Sequence, residues 1–343
     1  MKLSVIGIAL TAAMAMLSAA ATAQNVKITP VGSHPGELCA NDRAMVFEDP
    51  SGVRILYDTG QTLTGADDPR LGEIHVVLLS HAHGDHIGDQ KLKAIAAGSC
   101  ANSDRVAAGS NSMTAEVAAA KNAAIVMTTD MGTFIGRKVQ NITGKPVELC
   151  PQAAGATTVP VKAVCRSNTH LGGAFVAKTA SAAEGVEITI VYASHANNVP
   201  LSLLTEAQRA NLRPDATSIV LGPPTGYVVK FSNGLSAYLS GDTGIHTEMK
   251  TVVNEFHKAN LAVLNLGPSA VTVLSGAHAM NELVRPNAVI LTHPNEAVTE
   301  GGKLRPASRT AALTKLLKGS TPHLAISGRT MEFDGKAKCV NGC

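Results

Sequence analysis

Short apolar runs closed off by Gly, Pro, Asn, Asp or Ser recur along this chain, and each reads as a β-strand. Their limits predict strands over residues 44–47, 53–57, 74–79, 123–127, 186–193, 227–231, 236–239, 261–264, 288–291 and 323–326. Alanine-rich segments of helical character fall between them at 112–121, 249–258, 276–284 and 308–317. The last follows Arg305-Pro306 and starts at Ser308, whose hydroxyl is suited to cap the first free backbone N–H groups. Strand groups alternating with helices predict an α/β arrangement of sheets covered by helices. No biased linker and no short repeat interrupts the pattern, so one domain is expected.

The opening residues follow another logic. Lys2 precedes a long apolar stretch that ends in Ala21-Thr22-Ala23, a small-x-small cleavage site before Gln24. This is the layout of a secretory signal peptide over residues 1–23, leaving 24–343 as the mature domain, periplasmic or secreted. The apolar stretch is at the short end for a retained membrane anchor, and no later segment is long and apolar enough to cross a bilayer, so no membrane association is expected once it is removed. The formal charge of +3 includes Lys2, and the charges are interspersed rather than clustered. That excludes the electrostatic footprint of a nucleic-acid binder. With 3% aromatic residues and no Trp, stacking platforms for bases or sugars are also scarce. Six cysteines (Cys39, Cys100, Cys150, Cys165, Cys339 and Cys343) lack the C-x-x-C spacing of a zinc site. An even number in an exported chain points to disulfides, with the pairing left open. Cys339 and Cys343 are near enough to pair with each other, or to tie the C-terminus elsewhere.

Five of the apolar runs end on an ionisable residue. "ILYDTG" ends at Asp58, "VVLLSHAHGDH" at a histidine-rich cluster, "ITIVYASHANN" at His195, "AYLSGDTG" at Asp242 and "AVILTHPNE" at His293. Strand ends on a rigid sheet are a common place to assemble a site. In the cluster, His81 and His83 are two apart and can face one ion, while Gly84 lets the chain bend and turn Asp85 and His86 toward a second. Imidazole with carboxylate suits two divalent ions, zinc foremost, with manganese or iron as alternatives. His195, Asp242 and His293 supply the missing third ligand, bridge and final ligand. His170, in "CRSNTHLGG", competes with His195 for the third place, and His195 is favoured because it directly ends the stronger strand. His278 reads as a helix residue rather than a substrate contact, and His246 as either a supporting residue or a solvated one.

The His-x-His-x-Asp-His motif, with later His, Asp and His at strand ends, resembles the metallo-β-lactamase superfamily over about residues 26–335. The "YDTG" turn is similar to that family's first motif and puts Asp58 beneath the cluster as a supporting residue. Within the superfamily, "GVEITIVYASHANN" and "GYVVKFSNGLSAYLSGDTG" resemble the ascorbate-phosphate lactonase-like hydrolases. The resemblance implies a four-layer αββα sandwich with a dinuclear centre at the sheet edges. His81, His83 and His195 would hold one ion, Asp85, His86 and His293 the other, and Asp242 would bridge them. It further implies a hydroxide between the ions that attacks a lactone, ester or phosphodiester-type bond of a small molecule, with Asp85 relaying the proton. Asp242 stands where true β-lactamases of the family carry Cys or His, so antibiotic hydrolysis is not expected. Two rivals remain: an iron-dependent oxidoreductase or sulfur dioxygenase on the same fold, and a metal-binding protein without turnover. Residues 196–226, which follow His195, are too long for a simple turn. They read as a partial lid, its leucines against the substrate and Asn197 and Asn198 near the metals, or else as an insertion packed on the sandwich.

Overall fold

Two large β-sheets, of nine and eight strands, face each other across a shared apolar core. The computed structural model describes residues 25–343, so the predicted signal peptide lies outside the described residues. Every strand expected from the apolar runs is present, with ends moved by a few residues at most. Arg54–Tyr57, Val76–Leu78 and Ala124–Val126 run parallel in the first sheet. In the second, Ser236–Leu239, Leu261–Asn265 and Ala288–Thr292 are also parallel. Such strands read as unbroken apolar runs because both of their faces are covered.

The alternation of side chains shows what covers each face. Tyr57, Val76, Leu78 and Val126 point toward Ile188, Ile190, Tyr227 and Val229 of the opposite sheet. Their neighbours Leu56, Val77 and Ile125 point outward, against the helices Met113–Lys121 and Thr129–Thr143. On the far side, Val228, Tyr238, Ala262 and Leu264 pack on Met249, Val253, Met280 and Leu313 from the helices that follow. Helix, sheet, sheet and helix are therefore stacked in that order, which is the four-layer αββα sandwich the sequence led us to expect.

Two of the expected helices begin at a serine cap: Ser112 Oγ accepts from Ala115 N at 3.2 Å, and Ser308 Oγ from Ala311 N at 3.1 Å. The long helix Thr129–Thr143 was not anticipated. Gly132, Gly136 and several β-branched residues give it poor intrinsic propensity. It forms because it buries Met131, Phe134, Ile135 and Val139 on the first sheet, each worth roughly 1.5–3 kcal/mol when fully covered.

Because the parallel strands share a direction, their C-terminal ends emerge along one edge. Val186–Tyr192 joins them: it is antiparallel to Thr225–Lys230, which is antiparallel to Ser236–Leu239. Buried hydroxyls hold the two sheets together at this edge. Tyr57 Oη accepts from Gly241 N at 2.9 Å, and Tyr227 Oη donates to the Leu79 carbonyl at 2.6 Å.

Residues 196–226 correct part of the lid reading. Leu203 and Leu204 are buried with Val199 and Leu221 in the layer between the first sheet and its helices, and Leu201 packs against that layer. An apolar edge looks the same in sequence whether it faces a substrate or a core, and here the core takes it. Among the described residues no helix is long and apolar enough to cross a membrane.

All six cysteines are paired, as Cys39–Cys100, Cys150–Cys165 and Cys339–Cys343. Cys39–Cys100 closes a separation of 61 residues, whereas Cys339–Cys343 spans 4. Replacing Cys39 and Cys100 together with Ser should lower the unfolding free energy by about 2–4 kcal/mol. The same change at Cys339 and Cys343 should cost much less. Denaturant unfolding of the two variants measures this, and equal losses would show that loop length does not govern the stabilisation.

Candidate metal centre

The strand ends deliver their polar residues to one small volume. Arg54–Tyr57 stops at Asp58, which turns into the left-handed region at φ 42°. Its carboxylate, fully buried, accepts from Ser80 N at 2.8 Å, Ser80 Oγ at 2.7 Å and His86 Nδ1 at 2.7 Å. Asp58 therefore does more than stabilise the loop. With Nδ1 donating to Asp58, the Nε2 lone pair of His86 is turned inward.

The same pattern repeats on two other rings. His81 places Nδ1 at 3.1 Å from Ser80 Oγ, and His83 places Nε2 at 3.2 Å from Asn198 Oδ1. Their remaining nitrogens, His81 Nε2 and His83 Nδ1, face each other at 2.9 Å. His86 Nε2 and His293 Nε2 face each other at 3.0 Å. His293 is nearly fully buried, also in the left-handed region at φ 51°, and its Nδ1 has no hydrogen-bond partner among the described residues.

The bend after the cluster needs glycine. Gly88 has φ 75°, and a Cβ there would stand 2.5 Å from the Gly60 carbonyl oxygen. This close approach lets the turn Gly84–Ile87, which carries Asp85 and His86, lie against the Asp58 loop.

Asp242 lies between the two groups. Its Oδ2 is 3.9 Å from His195 Nε2, while its Oδ1 is 3.4 Å from His293 Nε2 and 3.6 Å from His86 Nε2. Asn265 donates to that Oδ1 at 3.1 Å. His81, His83 and His195 form one group of possible ligands, and Asp85, His86 and His293 another. In a third, His81, His86 and Asp242 join the two, with ligand atoms within 4.8 Å of one another. His195 thus takes the place for which His170 competed; His170 is exposed and turned to the Leu171 carbonyl. His278 is exposed on its helix, and His246 sits half-buried, edge-on to Tyr192 at 5.2 Å. A separate grouping of His323, Cys339 and Cys343 has its sulfurs engaged in a disulfide.

The electrostatics favour a cation here. Burial opposes charge on His86, yet Asp242, Asp58 and Asp85 outweigh it and raise its pKa to about 10. Several carboxylates converging on one imidazole demand positive charge, which a proton or a metal can supply. Burial, with the neighbouring His86, pushes His81 well below the usual histidine range, and burial with Arg43 lowers His293. Neutral imidazoles with inward lone pairs, beside carboxylates, are the donor set that divalent zinc, manganese or iron takes. The residues fit such ions.

Sequence reasoning missed Arg43, Ser80 and Asn265. Arg43 is buried, bonds Asp85 Oδ2, and donates to the Asp85 carbonyl at 2.9 Å. Burial alone would raise the Asp85 pKa, but Arg43, His86 and His293 hold it well below the usual carboxylate range. A carboxylate held that way is a weak base, which works against the proton relay expected of Asp85. Asn265 could have been found by the strand-end rule, since it closes Leu261–Asn265. Nothing in the sequence marks Arg43.

Comparisons with known proteins bear on the family and the fold. A family model described as a beta-lactamase superfamily domain matches residues 53–294. The chain is 25% identical over 300 residues to a UPF0173 metal-dependent hydrolase of Cupriavidus taiwanensis, covering 83% of this chain and 86% of that protein. A UPF0173 metal-dependent hydrolase of Koribacter versatilis is 23% identical over 249 residues, 71% of this chain and 77% of its own. Among solved structures, a metallo hydrolase from the archaeon Ignicoccus hospitalis superposes with a TM-score of 0.53 at 20% identity, covering 90% of this chain and 99% of that one. The metallo-beta-lactamase fold protein YhfI of Bacillus subtilis gives a TM-score of 0.50 at 13% identity, covering 90% and 99%. From the start of the first parallel strand to the turn after His293, the chain belongs to the beta-lactamase superfamily.

Proposed function

We propose that this metal-dependent hydrolase works with two divalent cations, zinc by preference, and cleaves a lactone, ester or phosphodiester-type bond of a small molecule outside the cytoplasm. The observation that carries the reading is the position of Asp242, with one carboxylate oxygen toward each group of imidazoles. A bridging carboxylate of this kind spaces two ions and offsets their mutual repulsion. When bound, the ions would lower the pKa of a water between them and polarise the scissile bond.

The chain's own residues do the rest. His81, His83 and His195 would hold one ion; Asp85, His86 and His293 would hold the other. Asp58, Ser80 and Asn198 fix the rings from outside, and Asn265 steadies Asp242. Arg43 keeps Asp85 ionised, so we assign Asp85 to binding first. It would accept a proton only transiently, at the oxygen not held by the guanidinium. Export is supported by the leader-like residues 1–23 and by the pairing of all six cysteines, which suits an oxidising compartment.

Elemental analysis of protein isolated without chelator should give close to two equivalents of metal per chain, lowered by His81→Ala or His83→Ala. Asp242→Ala should retain the fold but lose metal and at least about 100-fold in hydrolysis of lactone, ester or phosphodiester substrates, on the scale of a lost electrostatic contact to the reacting centre. A folded wild type that purifies without metal and cannot be reconstituted would end the reading. An Asp242→Ala protein with unchanged metal and activity would show that the bridge lies elsewhere.

Asn198→Ala should weaken cation retention by about 10–100-fold, as for other outer contacts to ligating histidines. Competition with a chromophoric chelator measures it, and unchanged retention would mean that Asn198 does not orient His83. N-terminal sequencing of the exported protein should begin at Gln24; a product that retains Met1 would remove the export assignment.

A further inference from the structure

A cavity lies apart from the candidate metal centre. A cavity of about 810 Å³ opens between the helices Met113–Lys121 and Thr129–Thr143 and the turn at Leu203 and Leu204. That volume falls in the range of small-molecule sites, ~300–1,000 Å³. Ala119, Ile142, Leu203 and Leu204 give it an apolar wall. None of the seven candidate ligands lines it.

Lys138 is the unusual member of that wall. It is only 7% exposed. Its ammonium donates to the Ser110 carbonyl at 2.9 Å and the Leu203 carbonyl at 3.1 Å, and lies 5.3 Å from the Phe134 ring centre. An ammonium has three donors, and both oxygens it meets are neutral. Among the described residues no carboxylate pairs with it. Glu116, also on the cavity wall, directs Oε1 to Ser110 N and Oγ, both at 3.0 Å. The contrast with Arg43 is direct: that buried cation has Asp85. Burial with no compensating carboxylate pulls the Lys138 pKa down to about 8. A buried charge of this kind is costly until an opposite charge meets it.

We propose that this cavity binds an amphipathic monoanion, with its carboxylate or sulfonate on Lys138 Nζ and its apolar body against Ala119, Ile142, Leu203 and Leu204. The size and the wall select a compact apolar body, and the ammoniums of Lys138 and Lys91, set against the Glu116 carboxylate, leave one net positive charge on the wall, which selects a single negative headgroup. The site is independent of the ions at the metal centre.

Fluorescence titration of the metal-loaded protein with 8-anilinonaphthalene-1-sulfonate tests the assignment. Binding should saturate, be displaced by octanoate but not by octanol, and survive removal of metal by chelator. Lys138→Met, which keeps the length and removes the charge, should weaken it at least about 10-fold without changing metal content. Ala119→Phe fills the cavity while leaving Lys138 in place, and should weaken it similarly; it decides the matter should Lys138→Met fail to fold. Binding that is absent, unchanged in Ala119→Phe, lost on chelation, or displaced equally by octanol would overturn the proposal.

Discussion

The buried carboxylate of Asp58 is the contact on which the site depends. It receives the backbone and hydroxyl of Ser80 and the outer nitrogen of His86, so one side chain sets where the first sheet's cluster begins and which way a ring turns. Ser80 then passes the constraint on, through its hydroxyl to His81 and its carbonyl to Thr225 of the second sheet. A carboxylate in so dry a place is tolerable only because both of its oxygens accept hydrogen bonds. The left-handed backbone at Asp58 is the local cost of aiming it there.

Much of this was legible in the sequence, for identifiable reasons. Parallel strands covered on both faces, such as Val76–Leu78 and Leu261–Asn265, carry no polar interruption, and their ends are marked by turn residues. The ligand candidates were legible because four of them lie within six residues and the others close strands of the same direction. What stayed hidden depends on tertiary contact. Thr129–Thr143 is held by Met131, Phe134 and Ile135 meeting the sheet, against the propensity of its glycines. Arg43 meets Asp85 only because the chain folds back over 42 residues. The leucines after His195 have the pattern of an apolar edge, and pattern alone does not say what covers it.

The charges of the centre form a balanced set rather than a sum of pairs. Asp58, Asp85 and Asp242 surround His86, while Arg43 draws on Asp85 and lowers His293. The two halves are therefore unequal: one is bounded by imidazoles and the shared Asp242, the other also by an ion pair with a guanidinium. A cation at the group of three imidazoles would meet a different field from one at the group of a carboxylate and two imidazoles.

The disulfide between Cys39 and Cys100 anchors the loop from which Arg43 projects. In that loop, Cys39 N donates to Asp42 Oδ2 at 2.9 Å, and the Asp42 carbonyl accepts from His293 N at 3.1 Å. Part of the ordering entropy of that loop is thereby settled by a covalent bond. One covalent link, remote in sequence from the cluster, thus holds in register a segment that grips it from two sides, Arg43 on Asp85 and the Asp42 carbonyl on the His293 backbone.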